Sequence, residues 1–130
     1  MAVAAPISTA SVAQELCALC RDGRNLDAID KLYSPKIVSV EPMGNESMPA
    51  EMTGIDAVRG KNQWWFDNNE IHSAEINGPF VGEGQFAVHY TYETTFKPSG
   101  QRVTMSEMGL YTVKDGKITR EQFFYNVPES

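Results

Sequence analysis

Two glutamates near the end of the chain, Glu107 and Glu121, fall on the apolar-rich side of a predicted sheet. Side chains of a strand alternate between its faces, so each acid shares a face with apolar residues of its strand, predicted over 102–113 and 117–125. A buried Glu is rare unless it is paired or functional. We therefore expect these acids to share a proton, accept from a Tyr, or bond the backbone. A structural hydrogen-bonded pair without chemistry is the alternative.

Two tyrosines on the preceding strand offer hydrogen-bond donors to these acids. The run 85–94 alternates apolar and polar residues, and Tyr90 and Tyr92 fall on its apolar face. Turn residues at Lys97–Gly100 and a hairpin signal at Asp115-Gly116 join the three strands into an antiparallel meander. Opposed Cβ atoms on adjacent strands lie roughly 4.5–5.5 Å apart. We therefore expect the two carboxyl groups to be close enough to share a proton or a water.

The cysteines and histidines give little support for metal or redox chemistry. Cys17 and Cys20 form a Cys-x-x-Cys spacing, which is typical of a redox pair or half of a zinc site. At helical spacing, however, both lie near an apolar face, so we interpret them as small buried hydrophobic residues. His72 and His89 lack the spacing of a metal site, and no glycine-rich phosphate loop is present. We expect neither a metal nor a cofactor.

Length and composition are those of one ordinary globular domain. The chain has 130 residues, 42% of them hydrophobic, and we expect residues 8–126 to be structured between short tails. A net charge of −6 argues against nucleic acid and anionic membranes as partners. No apolar run approaches the roughly 20 residues of a spanning helix, and residues 1–10 do not resemble a secretory signal. We expect a cytoplasmic protein.

Helical patterns occupy the first half of the chain and strands the second. The spacing predicts helices from Ser8 or Ser11 to Arg21, from Leu26 to Tyr33, and from Gly54 to Asn69, the last capped by Thr53. A short strand is predicted around residues 37–40, a loop up to residue 52, and another strand over 71–77 with a bulge at Gly78-Pro79. Helices grouped before a meander predict an α+β fold, with three helices on one side of a curved, mainly antiparallel sheet.

The order and spacing of three segments resemble the nuclear transport factor 2-like superfamily. They are Val-Ser-Val-Glu-Pro-Met-Gly (38–44), Thr-Gly-Ile-Asp-Ala-Val-Arg (53–59) and Asp-Gly-Lys-Ile-Thr-Arg-Glu-Gln-Phe-Phe-Tyr (115–125). Within it the chain is similar to SnoaL-like proteins and to ketosteroid isomerase, over about residues 11–125. The resemblance implies a cone-shaped, cystatin-like fold with an apolar pocket open at one end. It also implies homodimers that often pair through the outer face of the sheet.

The same resemblance implies a role for Glu41. The general base of the isomerase lies directly before Pro in an acid-Pro-x-Gly stretch, and Glu41 occupies that place. The alternative is a hydrogen-bond acceptor in the turn that ends the strand. The isomerase also uses a Tyr and a protonated Asp as an oxyanion hole; that enzyme is a standard example of a carboxyl kept neutral by an apolar site. This sequence has Leu16 and Gly109 near those positions, which argues against steroid isomerase activity.

One pocket is therefore predicted, with Glu41, Glu107 and Glu121 as its acids. Its predicted ligand-binding residues are Tyr90, Tyr92, Trp65, Tyr125 and Phe123. The implied function is cofactor-free proton transfer on a small apolar carbonyl compound, as in an isomerase, cyclase, hydrolase or dehydratase. A non-catalytic ligand-binding or accessory protein is the alternative. The outward face of the meander is partly apolar, and we expect a homodimer through it.

Overall fold

A computed structural model describes residues 8–126 and shows three helices packed on one curved, mixed sheet of six strands. The helices are α1 (Thr9–Arg21), α2 (Asn25–Leu32) and α3 (Ile55–Asn68). The strands are β1 (Tyr33–Val40), β2 (Glu51–Thr53), β3 (Asn69–Val81), β4 (Gln85–Phe96), β5 (Gln101–Lys114) and β6 (Lys117–Phe124). Their order across the sheet is β2-β1-β6-β5-β4-β3, and only β1 and β6 run parallel among these pairs. The predicted α+β architecture is confirmed.

Helix α1 follows its sequence pattern closely. The Ser8 side chain accepts a hydrogen bond from the backbone N–H of Ser11 at 3.0 Å, which caps the first turn. The buried side of the helix carries Leu16 and both cysteines, with Cys17 fully buried and Cys20 5% exposed. Burial raises the pKa of the Cys20 thiol to about 12, so it is not a reactive thiolate at neutral pH. The interpretation of both cysteines as core residues is confirmed.

The turn chemistry of the meander is also confirmed. Asp115 and Gly116 both have positive φ, 53° and 76°, as a two-residue hairpin turn of the primed type requires. The predicted irregularity at Gly78-Pro79 is present as a register shift between Asn77 and Phe80 in the pairing of β3 with β4. Strand β3 nevertheless continues through it to Val81.

Three boundaries differ from the sequence prediction. Tyr33 begins β1 rather than ending α2, because its backbone is extended (ψ 140°) and pairs with Ile118 of β6. Residues 51–53 form β2 against the end of β1 instead of a loop, since three residues are too few to show an alternation. Gly54, not Thr53, precedes α3, and no side chain caps that helix.

The interior of α3 is less buried than its pattern predicts. The helical spacing places Ile55, Val58, Trp65 and Phe66 on one side of α3, yet only Val58 of these is fully buried. Ile55 and Trp65 are partly buried against the core. The helix therefore rests on the core near its start, while its later turns stand over a cavity.

The strand register decides which side chains share the inner face. Tyr90 of β4 lies opposite Glu107 of β5, and Tyr111 of β5 lies opposite Glu121 of β6. Gly109 lies between these pairs on β5. Both acids thus point to the side covered by the helices, as the alternation predicts.

The outer face carries Ala87, His89, Thr91, Glu93, Thr104, Ser106, Met108 and Leu110 along its middle strands. Phe80 pairs with Ala87, and Phe124 pairs with Met108, so both rings lie on the same side as this row. Phe80 is 61% exposed and Phe124 is 49% exposed.

Within residues 8–126, no helix is both long and apolar enough to span a membrane. The cytoplasmic location stays a prediction.

Candidate functional site

A cavity of about 200 Å³ opens between α3 and the inner face of the sheet. Seven of the eight predicted site residues line it, and Glu121 does not: the seven are Glu41, Trp65, Tyr90, Tyr92, Glu107, Phe123 and Tyr125. Five further lining residues were not predicted: Asn25, Lys61, Asn62, Phe66 and Met105. The wall is thus largely aromatic, with two carboxyl groups and one ammonium group facing the same space.

Glu41 stands where β1 ends and is paired with a lysine of α3. Its backbone N–H donates to the carbonyl oxygen of Ala50 at 2.8 Å, which holds the chain after the strand. The Lys61 ammonium donates to Oε1 of Glu41 at 3.1 Å, and the two side chains are only 12% and 20% exposed. The same ammonium lies 5.7 Å from the centre of the Phe123 ring. Glu41 therefore lines the cavity in contact with a cation.

Glu107 has no such partner. Within residues 8–126 its carboxyl group makes no side-chain hydrogen bond or ion pair, and it faces the cavity. Burial, and then the charges of Glu41 and Glu121, raise its pKa to about 7, against a smaller opposite effect of Lys61. Glu107 therefore changes protonation state near neutral pH.

Glu121 is sealed behind the wall of the cavity. Its side chain is fully buried at 1% exposure, the Tyr33 hydroxyl donates to Oε1, and the Ser39 hydroxyl donates to Oε2 at 2.7 Å. Burial raises its pKa, while Lys61 and the two hydroxyl donors lower it. The expectation that Glu107 and Glu121 oppose each other and share a proton is wrong, because their partners across the strands are Tyr90 and Tyr111. Of the open alternatives, acceptance from a tyrosine is the one found, and the tyrosine is Tyr33.

The predicted tyrosine donors have other partners. The hydroxyls of Tyr90 and Tyr111 are hydrogen-bonded to each other, and the Tyr92 ring stacks on that of Tyr90 with centroids 6.1 Å apart. Burial raises the pKa of Tyr90 and Tyr92. Burial and the neighbouring Glu41 carboxylate raise the pKa of Tyr125. All three phenols are therefore protonated at neutral pH, and they can donate hydrogen bonds but not remove protons.

The two positions that depart from the isomerase are closed by packing. Leu16 is 2% exposed in the core under α1. A Cβ atom on Gly109 would lie 2.9 Å from atoms of the Tyr111 ring and 3.1 Å from the Phe123 ring. The space of the missing side chain is occupied by these two rings. An acid could not stand there without moving them.

Three residues that organise the site were missed, and two had a usable signal. Ser39 lies on β1, two residues before Glu41, which directly follows the strand, so alternation extended by one residue places both on one side. Lys61 lies three residues after Val58 and four before Trp65, on one face of α3. Tyr33 had no signal, because its spacing from Leu26 and Ile29 fits a helix.

No three His, Cys, Asp or Glu side chains come together as metal ligands in the part of the chain that the structure describes. The chemistry available in the cavity is that of carboxyl groups, a lysine, amides and phenols.

Comparison with known proteins gives a family and a fold. A family model described as a SnoaL-like domain matches residues 7–125. A solved structure of a Mesorhizobium loti protein, provisionally described as a SnoaL-like polyketide cyclase, is 42% identical to this chain and has a TM-score of 0.84. The match covers 89% of this chain and 97% of the other. None of the curated proteins matches this chain.

Two more distant structures share the fold. A Catenulispora acidiphila protein with a ketosteroid isomerase-like fold, solved in complex with trimethylamine, is 18% identical over 92% of this chain and 88% of its own, with a TM-score of 0.69. A Xanthomonas campestris protein with a cystatin-like fold is 15% identical over 92% of both chains, with a TM-score of 0.74. These likenesses concern the fold alone.

Proposed function

Because the chain belongs to the SnoaL-like domain family, we propose that it catalyses cofactor-free proton transfer on a small apolar carbonyl compound bound in the cavity. The observation that supports this is a pair of unlike carboxyl groups facing one space. Glu41 lies beside the ammonium of Lys61, and Glu107 has a pKa of about 7. Two acids whose surroundings separate their protonation states are the usual basis of acid and base roles in one site.

In this proposal Glu41 is the base and Glu107 is the acid. The Lys61 ammonium donates to Oε1 of Glu41 at 3.1 Å, so a carboxyl group held by a cation lines the cavity and can serve as the proton acceptor. Glu107 is protonated in a large share of molecules near neutral pH and can donate. General acids and bases work best when their pKa lies near the working pH.

The proposed step balances within the substrate and these two side chains. Glu41 removes a proton from the carbon next to the carbonyl group. The electron pair of that C–H bond forms a C=C bond, and the C=O π pair moves onto oxygen, to which Glu107 donates. Return of the proton from Glu41 to another carbon of the conjugated enol, while the enol O–H proton returns to Glu107, gives an isomerised product. Attack of the α-carbon on a second carbonyl group instead gives a ring: the new alkoxide takes the proton from Glu41, and the enol O–H proton returns to Glu107.

The walls support an apolar and small substrate. Trp65, Tyr92 and Phe123 present ring faces or edges to the cavity, and Met105 adds a flexible apolar contact. A cavity of about 200 Å³ lies below the roughly 300–1,000 Å³ of common ligand pockets. We therefore favour a carbonyl compound of about one ring in size over a steroid-sized one.

Exchange of hydrogen for deuterium tests this proposal without a known substrate. A panel of one-ring ketones, esters and 1,3-diketones is incubated with the protein in D2O, and loss of the α-proton signal is followed by NMR. We expect exchange of at least one compound by the wild type. Glu41→Gln should slow it by roughly 10²–10⁴-fold, the usual contribution of a general base, while the affinity for the same compound changes only a few-fold.

The matched control is Glu75→Gln, which removes an exposed acid of β3 and should leave exchange unchanged. Exchange that survives Glu41→Gln would rule out Glu41 as the base. Binding of panel members without any exchange, lost equally in Glu41→Gln, would instead support the non-catalytic ligand-binding alternative.

We also propose that the protein forms a homodimer through the outer face of the sheet. The exposed rings of Phe80 and Phe124 on that face support this, since large apolar side chains on one surface favour association. Light scattering at micromolar concentration should give about twice 14.4 kDa. A monomer mass would contradict it, and Phe124→Glu should shift a dimer toward monomer.

A further inference from the structure

The ammonium group of Lys61 contacts both a buried hydroxyl of the sheet and a carboxyl group that lines the cavity. It donates to Oγ of Ser39 at 2.6 Å and to Oε1 of Glu41 at 3.1 Å. A lysine ammonium carries three N–H groups, so one remains for a group inside the cavity that Lys61 lines. With a side chain only 12% exposed, this charge is poorly screened by water.

Ser39 is held so that it must accept from Lys61. Its hydroxyl has one proton, which it donates to Oε2 of Glu121 at 2.7 Å. The Tyr33 hydroxyl occupies the other oxygen of that carboxylate. Ser39 and Glu121 are both fully buried, so this arrangement has no competition from water. The lone pairs of Ser39 are therefore left for the ammonium group.

The partner of Lys61 changes during the proposed proton transfer. In the resting site its charge is balanced by the Glu41 carboxylate. When Glu41 accepts a proton, that carboxylate becomes neutral and the ammonium loses its counter-charge. A negative charge forms on the substrate's carbonyl oxygen at the same moment. A fixed cation that interacts with this oxygen only when its negative charge develops stabilises the transition state more than the bound substrate, and so lowers the activation barrier.

We propose that Lys61 stabilises the negative charge on the substrate's oxygen, with Ser39 as its positioning residue. This inference rests on the proposed function. Within residues 8–126, Lys61 is the sole cationic side chain lining the cavity. The two positions where the isomerase keeps its oxyanion donors are occupied here by Leu16 and Gly109, and the rings of Tyr111 and Phe123 fill the space at the latter. The neutral form of Glu107 is a second donor on the same cavity.

The test uses benzoate as a one-ring anion and benzamide as its neutral counterpart. Glu41→Gln reproduces the shape and charge of protonated Glu41. At pH 6 Glu107, with a pKa of about 7, is mostly neutral and does not repel the anion. We expect Glu41→Gln to bind benzoate about tenfold tighter than the wild type in calorimetry, equivalent to about 1.4 kcal/mol. Benzamide should change by less than about twofold, since it gains no ionic contact.

Removal of Lys61 from the Glu41→Gln variant should abolish its tighter binding of benzoate. Glu41→Gln/Lys61→Met keeps the length of the side chain, and Lys61→Gln is a second variant if the first folds poorly. Glu41→Gln/Ser39→Ala should lose part of the gain for benzoate while benzamide binding is retained. A merely structural role of Ser39 would weaken both ligands together.

Two results would overturn the inference. One is a benzoate gain that persists without Lys61, and the other is the absence of any gain in Glu41→Gln. The outcome is separable from that of the deuterium exchange. A benzoate gain with no exchange in any compound would count against proton transfer and leave Lys61 as the anion contact. Exchange without a benzoate gain would remove the role of Lys61 and leave proton transfer standing.

Discussion

Glu107 and Glu121 point to the same side of neighbouring strands, yet one faces a cavity and the other is sealed. Burial raises the pKa of both. Glu121 accepts from Tyr33 and Ser39, one hydroxyl on each oxygen. Glu107 has no side-chain partner among residues 8–126 and lines open space. Glu107 and Glu121 are thus the same residue type on the same face of the sheet, and they differ in the groups that surround their carboxyl oxygens.

The difference shows that hydrogen-bond partners, rather than burial, distinguish a carboxyl group held within the fold from one left open to a ligand. A carboxyl whose oxygens are both occupied stabilises the fold, because removing it leaves buried donors without acceptors. A carboxyl that faces a cavity without partners is free to exchange a proton with a ligand. The rings of Tyr111 and Phe123, which pack over Gly109, form the boundary between the two regions.

The largest difference between Glu121 and Glu107 should be in how much each contributes to the stability of the fold. Glu121→Ala leaves the buried hydroxyls of Tyr33 and Ser39 unpaired and opens a cavity, so we expect a loss of about 3–5 kcal/mol in the free energy of unfolding. Glu107→Ala removes no hydrogen bond and should cost less than about 1 kcal/mol. Urea denaturation of both variants measures this difference. Similar losses in the two would mean that the sealed region and the cavity are not distinct.

A smaller contrast should appear in the pH dependence of stability. The folded-state pKa of Glu107, about 7, lies above its ordinary value of 4.5, so the folded protein binds the proton more tightly than the unfolded chain. The contribution of Glu107 to the free energy of unfolding should therefore be largest below about pH 4.5, and it should decrease as the pH rises to 7. The loss is on the order of 2–3 kcal/mol at 1.36 kcal/mol per pKa unit.

Glu107→Gln isolates this effect. Glu41, Glu121 and Lys61 are the charged groups that act on Glu107, and all three remain in the variant. Chemical denaturation between pH 4.5 and 8 should show the wild type losing stability relative to Glu107→Gln. A constant difference across this range would contradict the raised pKa.

The smallest expected effect concerns Gly109, where the rings of Tyr111 and Phe123 separate the buried Glu121 from the cavity. Gly109→Ala places a Cβ atom 2.9 Å from the Tyr111 ring, so we expect overpacking to cost about 1–3 kcal/mol. Gly60→Ala is the matched control, because a Cβ there meets nothing within 4 Å inside α3. It should instead stabilise the helix by about 1 kcal/mol. Thermal denaturation of both variants gives the comparison, and a stabilising Gly109→Ala would show that the rings yield freely.

Much of the fold and part of the site could be predicted from local patterns. Alternation on β4 and β5 correctly places Tyr90, Tyr92 and Glu107 on the inner face, since side-chain direction in a strand follows from the backbone alone. The Asp115-Gly116 turn follows from the positive φ that these residue types tolerate. The boundary at Tyr33 could not be predicted, because helical spacing and strand pairing competed there and pairing with β6 prevailed.

The sequence by itself determined that two acids face inward on a curved sheet, because period-two alternation needs no knowledge of distant residues. Only the tertiary structure decided what each acid meets. Tyr33 and Ser39 reach Glu121 across 88 and 82 residues of chain, and Lys61 reaches Glu41 from a helix. Whether a buried carboxyl group is held within the fold or left open to a ligand depends on the donors within about 3 Å of it. Folding brings these donors together from separate segments of the chain, and the local pattern of one segment does not indicate which other segment it will contact.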